Sequence, residues 1–240
     1  MPKISIICPV YGMKNNLGQK FLVEYLSHLQ FQTFKDFEII VTDQSEDNRY
    51  DDICKVFSTC LDIKHYKNNK KKTAASNVNY GIKKATGDII KLLYVDDFFI
   101  VPIALEIIYN SIINSNNKWG ISGFIECNQD KNNFFNKRLP WFGNKYPNGD
   151  NTTGNPSTYF VLRDCALEMD ENMLWLVDGE YFYRSYYYHG DPVCINDVLV
   201  CFRKHEQSAF LDESFKSLHE KELAYVYEKY KNMPKSIHDV

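Results

Sequence analysis

Glycine is scarce in this chain, 11 of 240 residues, and nowhere does the spacing Gly-x-Gly-x-x-Gly occur. That spacing opens the helix after the first strand of dinucleotide-binding folds, so its absence argues against a nicotinamide-dependent dehydrogenase. Val10-Tyr-Gly-Met-Lys14 holds one glycine, too few for the basic, glycine-rich phosphate loop that a sugar nucleotidyltransferase would want there. The seven cysteines are odd in number and scattered, with no Cys-x-x-Cys pair, which disfavours a disulfide scaffold or a zinc site. They read as reduced thiols, mostly buried. The amino terminus lacks the basic-then-apolar pattern of a secretory signal. The longest apolar run, Phe98 to Leu105, is broken by Pro102 and is far too short to cross a bilayer. A net charge of -3 gives no reason to expect nucleic acid as a partner. A soluble, cytoplasmic protein is the expectation.

What is present is 44% apolar residues and an aromatic share of 15%, with tyrosine and phenylalanine crowded into the second half. Lys3 to Pro9 is a β-branched run closed by proline, a first strand. Leu17, Phe21, Tyr25 and Leu29, with Leu22 and Leu26 beside them, mark an amphipathic helix to Gln30. Phe37 to Thr42 is a second buried strand ending at Asp43. Strand, helix and strand in this order predict a right-handed βαβ unit with a parallel sheet. A helix over 51–59, a short strand over 62–66 and a basic loop, Lys67 to Lys72, follow. The next helix, 73–85, has Ala74, Val78, Ile82 and Ala85 on its apolar face, leaving Asn77 and Asn79 on the polar side. Further helices are expected over 103–113, 165–169 and 178–188, and strands over 119–125, 157–162 and 191–202. The segment 127–155, rich in Asn, Gly and Lys, reads as a long loop whose Phe134, Phe135, Trp141 and Phe142 suit either core or a sugar face. A terminal helix over 213–231 would pack on the domain or build a homodimer face. No linker interrupts the chain.

The pattern centres on Asp88-Ile-Ile-Lys-Leu-Leu-Tyr-Val-Asp96-Asp97-Phe98. Its apolar run reads as a strand buried on both faces, with two adjacent acids at the carboxyl end, where open α/β sheets bind ligands. Neighbouring carboxylates repel, and a divalent cation is the natural means of holding them together.

Four pieces then resemble the inverting family 2 glycosyltransferases of the GT-A fold: Ile4-Ser-Ile-Ile-Cys-Pro-Val-Tyr11; Gln32 through Asp43 to Ser45; Asn77-Val-Asn-Tyr-Gly81 through Gly87 to Tyr94-Val-Asp-Asp97; and Val177-Asp-Gly-Glu180 through Arg184, followed by Arg203-Lys-His205. The resemblance implies an α/β, Rossmann-like fold with a mostly parallel central sheet flanked by helices, an acceptor-side region and a terminal helix. It implies one domain over 1–210, with a donor half (1–100) and an acceptor half (101–210), and a helical extension over 211–240. Pro9, Val10, Tyr11, Asp43, Asn79 and Asp96 would bind the nucleotide of a sugar diphosphonucleoside, in particular a uridine-linked one. Asp97 and His205 would hold Mn2+ or Mg2+. Asp178 or Glu180 would be the catalytic base toward a glycan or lipid-linked glycan acceptor. Tyr94 departs from the family's Asp-x-Asp, and Asp178-Gly-Glu180 from its Glu-Asp pair. The competing reading is a nucleotide-sugar binding module without turnover.

Overall fold

The computed structural model describes residues 3–143, 151–208 and 217–234. Within them the chain forms one nine-stranded sheet with helices on both faces. The elements in order are β1 (Ile4–Val10), α1 (Leu17–Gln30), β2 (Phe37–Asp43), α2 (Asp51–Phe57), β3 (Ile63–Lys67), α3 (Ala74–Lys84), β4 (Ile89–Leu92) and β5 (Phe98–Phe99). The second half adds α4 (Ala104–Ile113), β6 (Trp119–Asn128), β7 (Phe134–Arg138), β8 (Tyr159–Leu162), α5 (Val177–His189), β9 (Val193–Lys204) and α6 (His219–Tyr230). Spatially the strands run β3-β2-β1-β4-β8-β6-β9-β5, with β7 paired to the edge of β6. The pairings make β1, β2, β3, β4, β6 and β9 run one way and β5, β7 and β8 the other. The sheet is mostly parallel, as the GT-A resemblance implies.

Strand β1 shows why the sheet is sandwiched. All seven of its residues are buried. Ile4, Ile6, Cys8 and Val10 enter the core that contains α1, α2 and α4, while Ile7 enters the opposite core with α3, α5 and α6. The two-residue side-chain period divides one apolar run between two faces, so the strand reads as continuous hydrophobicity. Two glycines allow close packing, one of α3 on the sheet and one of α1 on Tyr50. A Cβ at Gly81 would lie 2.5 Å from Ile7 Cγ2, so only glycine lets α3 seat at this distance. A Cβ at Gly18 would lie 2.1 Å from the hydroxyl of Tyr50, a fully buried ring whose O–H donates to the Tyr11 carbonyl.

Several expectations change. The apolar run of the central strand contains Lys91, which is buried and donates to the carbonyls of Ser157 and Tyr159. Burial pulls its ammonium down to about 7. Strand pairing stops at Leu92, so Asp96 and Asp97 stand on the turn beyond the strand, not on its last residue. Asn77 and Asn79 are buried, not solvated, and Ala74 is exposed. The expected long loop contains β7, an exposed edge strand; residues 144–150 of that loop lie outside the described residues. Phe142 of this segment packs on Trp119 and Tyr186, whereas Trp141 is exposed. The helix expected over 165–169 is a single 3-10 turn, Arg163–Cys165. The terminal helix starts at His219, and residues 213–216 of its expected span lie outside the described residues. It packs Val226 and Tyr230 into the core of its own chain. No helix among the described residues is long and apolar enough to cross a membrane.

Candidate active site

From β1 the chain winds through β2 and β3 in one direction, then crosses back so that β4 lies on β1's other side. A crevice opens at such a reversal, beyond the carboxyl ends of the strands. Here the turn after β1 (Tyr11, Gly12), the turn after β4 (Tyr94 to Asp97) and the chain after β9 (His205 to Ser208) line a cleft of about 1420 Å³. Its far wall is the segment Met173–Gly179, which leads into α5, with His219 from α6.

The sequence-expected residues divide sharply. Pro9, Tyr11, Asp96, Asp97, Asp178 and His205 all line the cleft. Val10 does not: its side chain lies in the core, and its carbonyl accepts from the Gln44 N–H and the Asn77 amide. Asn79 is also outside, because its amide donates to the Met169 carbonyl and Glu171 while its oxygen accepts the Met169 N–H. Glu180 lies one turn into α5, fully buried behind the cleft. Its carboxylate accepts from Arg184 and Tyr230 and pairs with Lys229 at 2.9 Å. Asp43 is spent inward too: it accepts the Ser45 N–H at 2.7 Å and meets Lys67 at 2.7 Å and His65 at 3.2 Å. Burial alone would raise its carboxyl, but His65, Lys67 and Ser45 outweigh that and hold it below the usual range.

The two acids of the central turn have different surroundings. Asp97 is buried, and its Oδ1 accepts the Arg203 N–H at 3.1 Å, tying the β4 turn to β9. Burial, and next the charge of Asp96, push its carboxyl well above the ordinary range. Asp96 is half-buried, and its Oδ2 lies 3.1 Å from His205 Nε2. Adjacent ligands of a six-coordinate ion with bonds of about 2.1 Å stand about 3 Å apart, so the spacing of this hydrogen-bonded pair is compatible with two ligands of one divalent cation. A further trio, Asp43, Asp51 and His65, has ligand atoms within 4.8 Å of one another. There, however, the carboxylates face opposite ring nitrogens, Nε2 and Nδ1, and Lys67 already neutralises Asp43. That trio lies away from the cleft lining, whereas Asp96 and His205 both line it.

Asp178 sits in the first turn of α5, half-buried on the cleft wall. Burial alone pushes its carboxyl up to about 7, where it can take up and release a proton at neutral pH. Its environment separates it from Glu180, which is buried with Arg184, Lys229 and Tyr230 and does not line the cleft.

Sequence reasoning missed several cleft residues. Asn77 lines it and, as a buried clamp, donates to the carbonyls of Val10 and Thr42, joining the ends of β1 and β2. Arg49 and Lys72 line it as cations, held by Asp47 and Glu46. The basic run over 67–72 was the one signal for Lys72. Leu174 and Trp175 bring apolar and aromatic surface beside Asp178, and no spacing marked them.

Known proteins agree with this architecture. Over 99 residues the chain is 36% identical to an uncharacterized glycosyltransferase of Rickettsia felis, a match covering 40% of this chain and 15% of that protein. It is 28% identical over 135 residues to the glycosyltransferase GlyG of Streptococcus pneumoniae, covering 55% of this chain and 42% of the relative. These matches therefore span less than half the length of either curated relative. Among solved structures, Staphylococcus aureus TarS 1-349 in complex with UDP-GlcNAc superposes with a TM-score of 0.70 at 14% identity, covering 99% of this chain and 69% of that one. The mannosyltransferase PcManGT of Pyrobaculum calidifontis, in complex with GDP-Man and Mn2+, gives 0.69 at 13% identity, covering 98% and 66%. At such identities the likeness is one of fold. A family model described as glycosyl transferase family 2 matches residues 5–170, well over half of the sequence, and this chain belongs to that family.

Proposed function

We propose that this protein is an inverting glycosyltransferase that moves a sugar from a nucleotide-diphosphate donor to a hydroxyl of a carbohydrate acceptor. The observation that carries the reading is the placement of Asp178, its carboxyl raised to about 7, in one cleft with the Asp96–His205 pair. In support, TarS holds UDP-GlcNAc or UDP in a matching fold, which favours a uridine-linked donor, and PcManGT holds GDP-Man with Mn2+. A relative in Campylobacter jejuni, 35% identical over 102 residues that cover 40% of this chain and 30% of that protein, is a GalNAc(5)-diNAcBac-PP-undecaprenol beta-1,3-glucosyltransferase. A glycan or lipid-linked glycan acceptor is in keeping with it.

In this reading Pro9 and Tyr11 bound the nucleotide end of the cleft, and Asp96 and His205 would hold Mn2+ or Mg2+. When bound, the cation neutralises the negative charge that builds on the departing diphosphate. Asp178 accepts the proton of the acceptor hydroxyl. The hydroxyl oxygen forms its bond to the anomeric carbon on the face opposite the donor's diphosphate, and the bond to the diphosphate oxygen breaks. One carboxylate suffices for this single displacement, and its help is typically worth ~100- to 10,000-fold.

The test is binding and turnover of a nucleotide-sugar panel, with and without Mn2+, on wild type and Asp96→Ala. The reading requires one donor to be bound and slowly hydrolysed with metal, and the metal response to be lost in the variant. A donor bound without any turnover, acceptors included, would make the protein a binding module. No binding of any nucleotide sugar would remove the reading altogether.

A further inference from the structure

We propose that Glu222, on the terminal helix, is a positioning residue for transfer, fixing the segment that presents Trp175 and Asp178 to the cleft. The inference rests on the transferase reading above. Glu222 is in the first turn of α6 and is buried, 7% exposed. Its carboxylate accepts three successive backbone N–H groups: Leu174 at 2.8 Å on Oε1, and Trp175 at 3.0 Å and Leu176 at 2.8 Å on Oε2. Three convergent N–H groups form an anion-binding concavity, and here the anion is a side chain of the chain itself. These three bonds lie immediately before the first turn of α5, whose N-cap residue is Leu176.

Met173 to Gly179 form the cleft wall, and Asp178 follows the last clamped residue by two positions. The clamp therefore sets the height and angle at which α5 begins, and with it the reach of the Asp178 carboxylate. Trp175, beside it, supplies the flat aromatic face that suits a sugar ring. A general base acts only within hydrogen-bond reach of its proton, and a misplacement of about 1 Å can cost about a hundredfold.

The rest of α6 is anchored independently. Lys229 pairs with Asp170 at 2.6 Å and with Glu180 at 2.9 Å, the Tyr225 hydroxyl donates to Asp170, and Val226 and Tyr230 fill the core. Removing the Glu222 carboxylate should thus release the segment without undocking the helix. Glutamine has the same shape but places an NH2 donor against backbone N–H groups that need an acceptor.

The experiment compares wild type, Glu222→Gln and Val226→Ala, the last loosening the same helix while keeping all three hydrogen bonds to 174–176. Backbone amide hydrogen exchange, thermal unfolding, donor Kd and transfer kcat are read for each. For Glu222→Gln the expected results are faster exchange confined to 174–178 and a kcat lower by about 10- to 100-fold, with donor Kd within about twofold. Val226→Ala should lower the unfolding temperature and leave both kcat and exchange at 174–178 near wild type. Unchanged exchange or unchanged kcat in Glu222→Gln overturns the proposal, as does a kcat loss in Val226→Ala that matches it at equal loss of stability. If wild type turns over no donor, the transferase reading falls by itself, and amide exchange still decides whether Glu222 holds the segment.

Discussion

Replacing Asp178 by asparagine removes the proposed base while keeping its size, and the surroundings of this residue set what should follow. With its carboxyl raised to about 7 by burial, about half of the molecules carry the carboxylate at pH 7, about a tenth at pH 6 and about a hundredth at pH 5. Wild-type kcat/KM should therefore climb about tenfold from pH 5 to 6 and about fivefold from 6 to 7, and level above that. An ordinary aspartate, titrating near 3.9, would give a flat profile over the same range. Asp178→Asn should lower kcat by ~100- to 10,000-fold and abolish the acid limb of whatever rate remains, with donor Kd little changed. The assay is release of nucleoside diphosphate in the presence of acceptor, from pH 5 to 9, at saturating metal and constant ionic strength. Stability supplies a second readout of opposite sign. A carboxyl whose folded pKa exceeds its unfolded one stabilises most below the unfolded value, and that contribution is lost as pH rises through about 7. The asparagine variant should thus unfold at a higher temperature than wild type at pH 8, with the advantage much reduced at pH 5 and lost below about pH 4. A wild-type rate in the variant, or an acid limb that survives in its residual activity, refutes the assignment.

Glu180→Ala leaves Arg184 and Lys229 without their shared buried carboxylate. Breaking such a network costs about 3–5 kcal/mol, so denaturant unfolding should show a large loss, while the acid limb of kcat/KM stays at its wild-type position. Gly18→Ala drives a Cβ into the Tyr50 hydroxyl, and overpacking of this kind costs about 1–3 kcal/mol, readable as a lower unfolding temperature. A Gly18→Ala protein as stable as wild type would mean that Tyr50 has another place to go.

Much of this fold is legible from local pattern. The β-branched runs ending at Val10 and Asp43 and the four-residue apolar step of α1 each reflect burial that a short window records. Where the structure departs, the deciding partners are remote in sequence. Asn77 and Asn79 look solvated on a helical wheel, yet carbonyls at Val10, Thr42 and Met169 satisfy them inside the protein. Lys91 survives in a central strand because β8 and its preceding turn turn two carbonyls toward it. The same holds in the cleft. The types Asp, Asp, His and Asp are visible in the motifs, but their division of labour is not. Only the tertiary structure shows Asp97 turned to the Arg203 backbone, Asp96 turned to His205, and Glu180 withdrawn into an ion network with α6.

Asp96 and His205 stand 109 positions apart along the chain and touch only because β9 runs parallel to β6 with β5 on its other side. Closure of so long a loop comes late and slowly in folding, since its entropy is spent before any contact repays it. A nascent chain released as far as the turn after β4 holds its first four strands and Asp96, yet has no His205 to set opposite it. Under the proposed function, a cation that requires both side chains would stabilise the native state by RT ln(1 + [L]/Kd) and give no support to the half-built sheet. On that proposal, thermal shift by a donor with its cation would report whether the last strand has arrived.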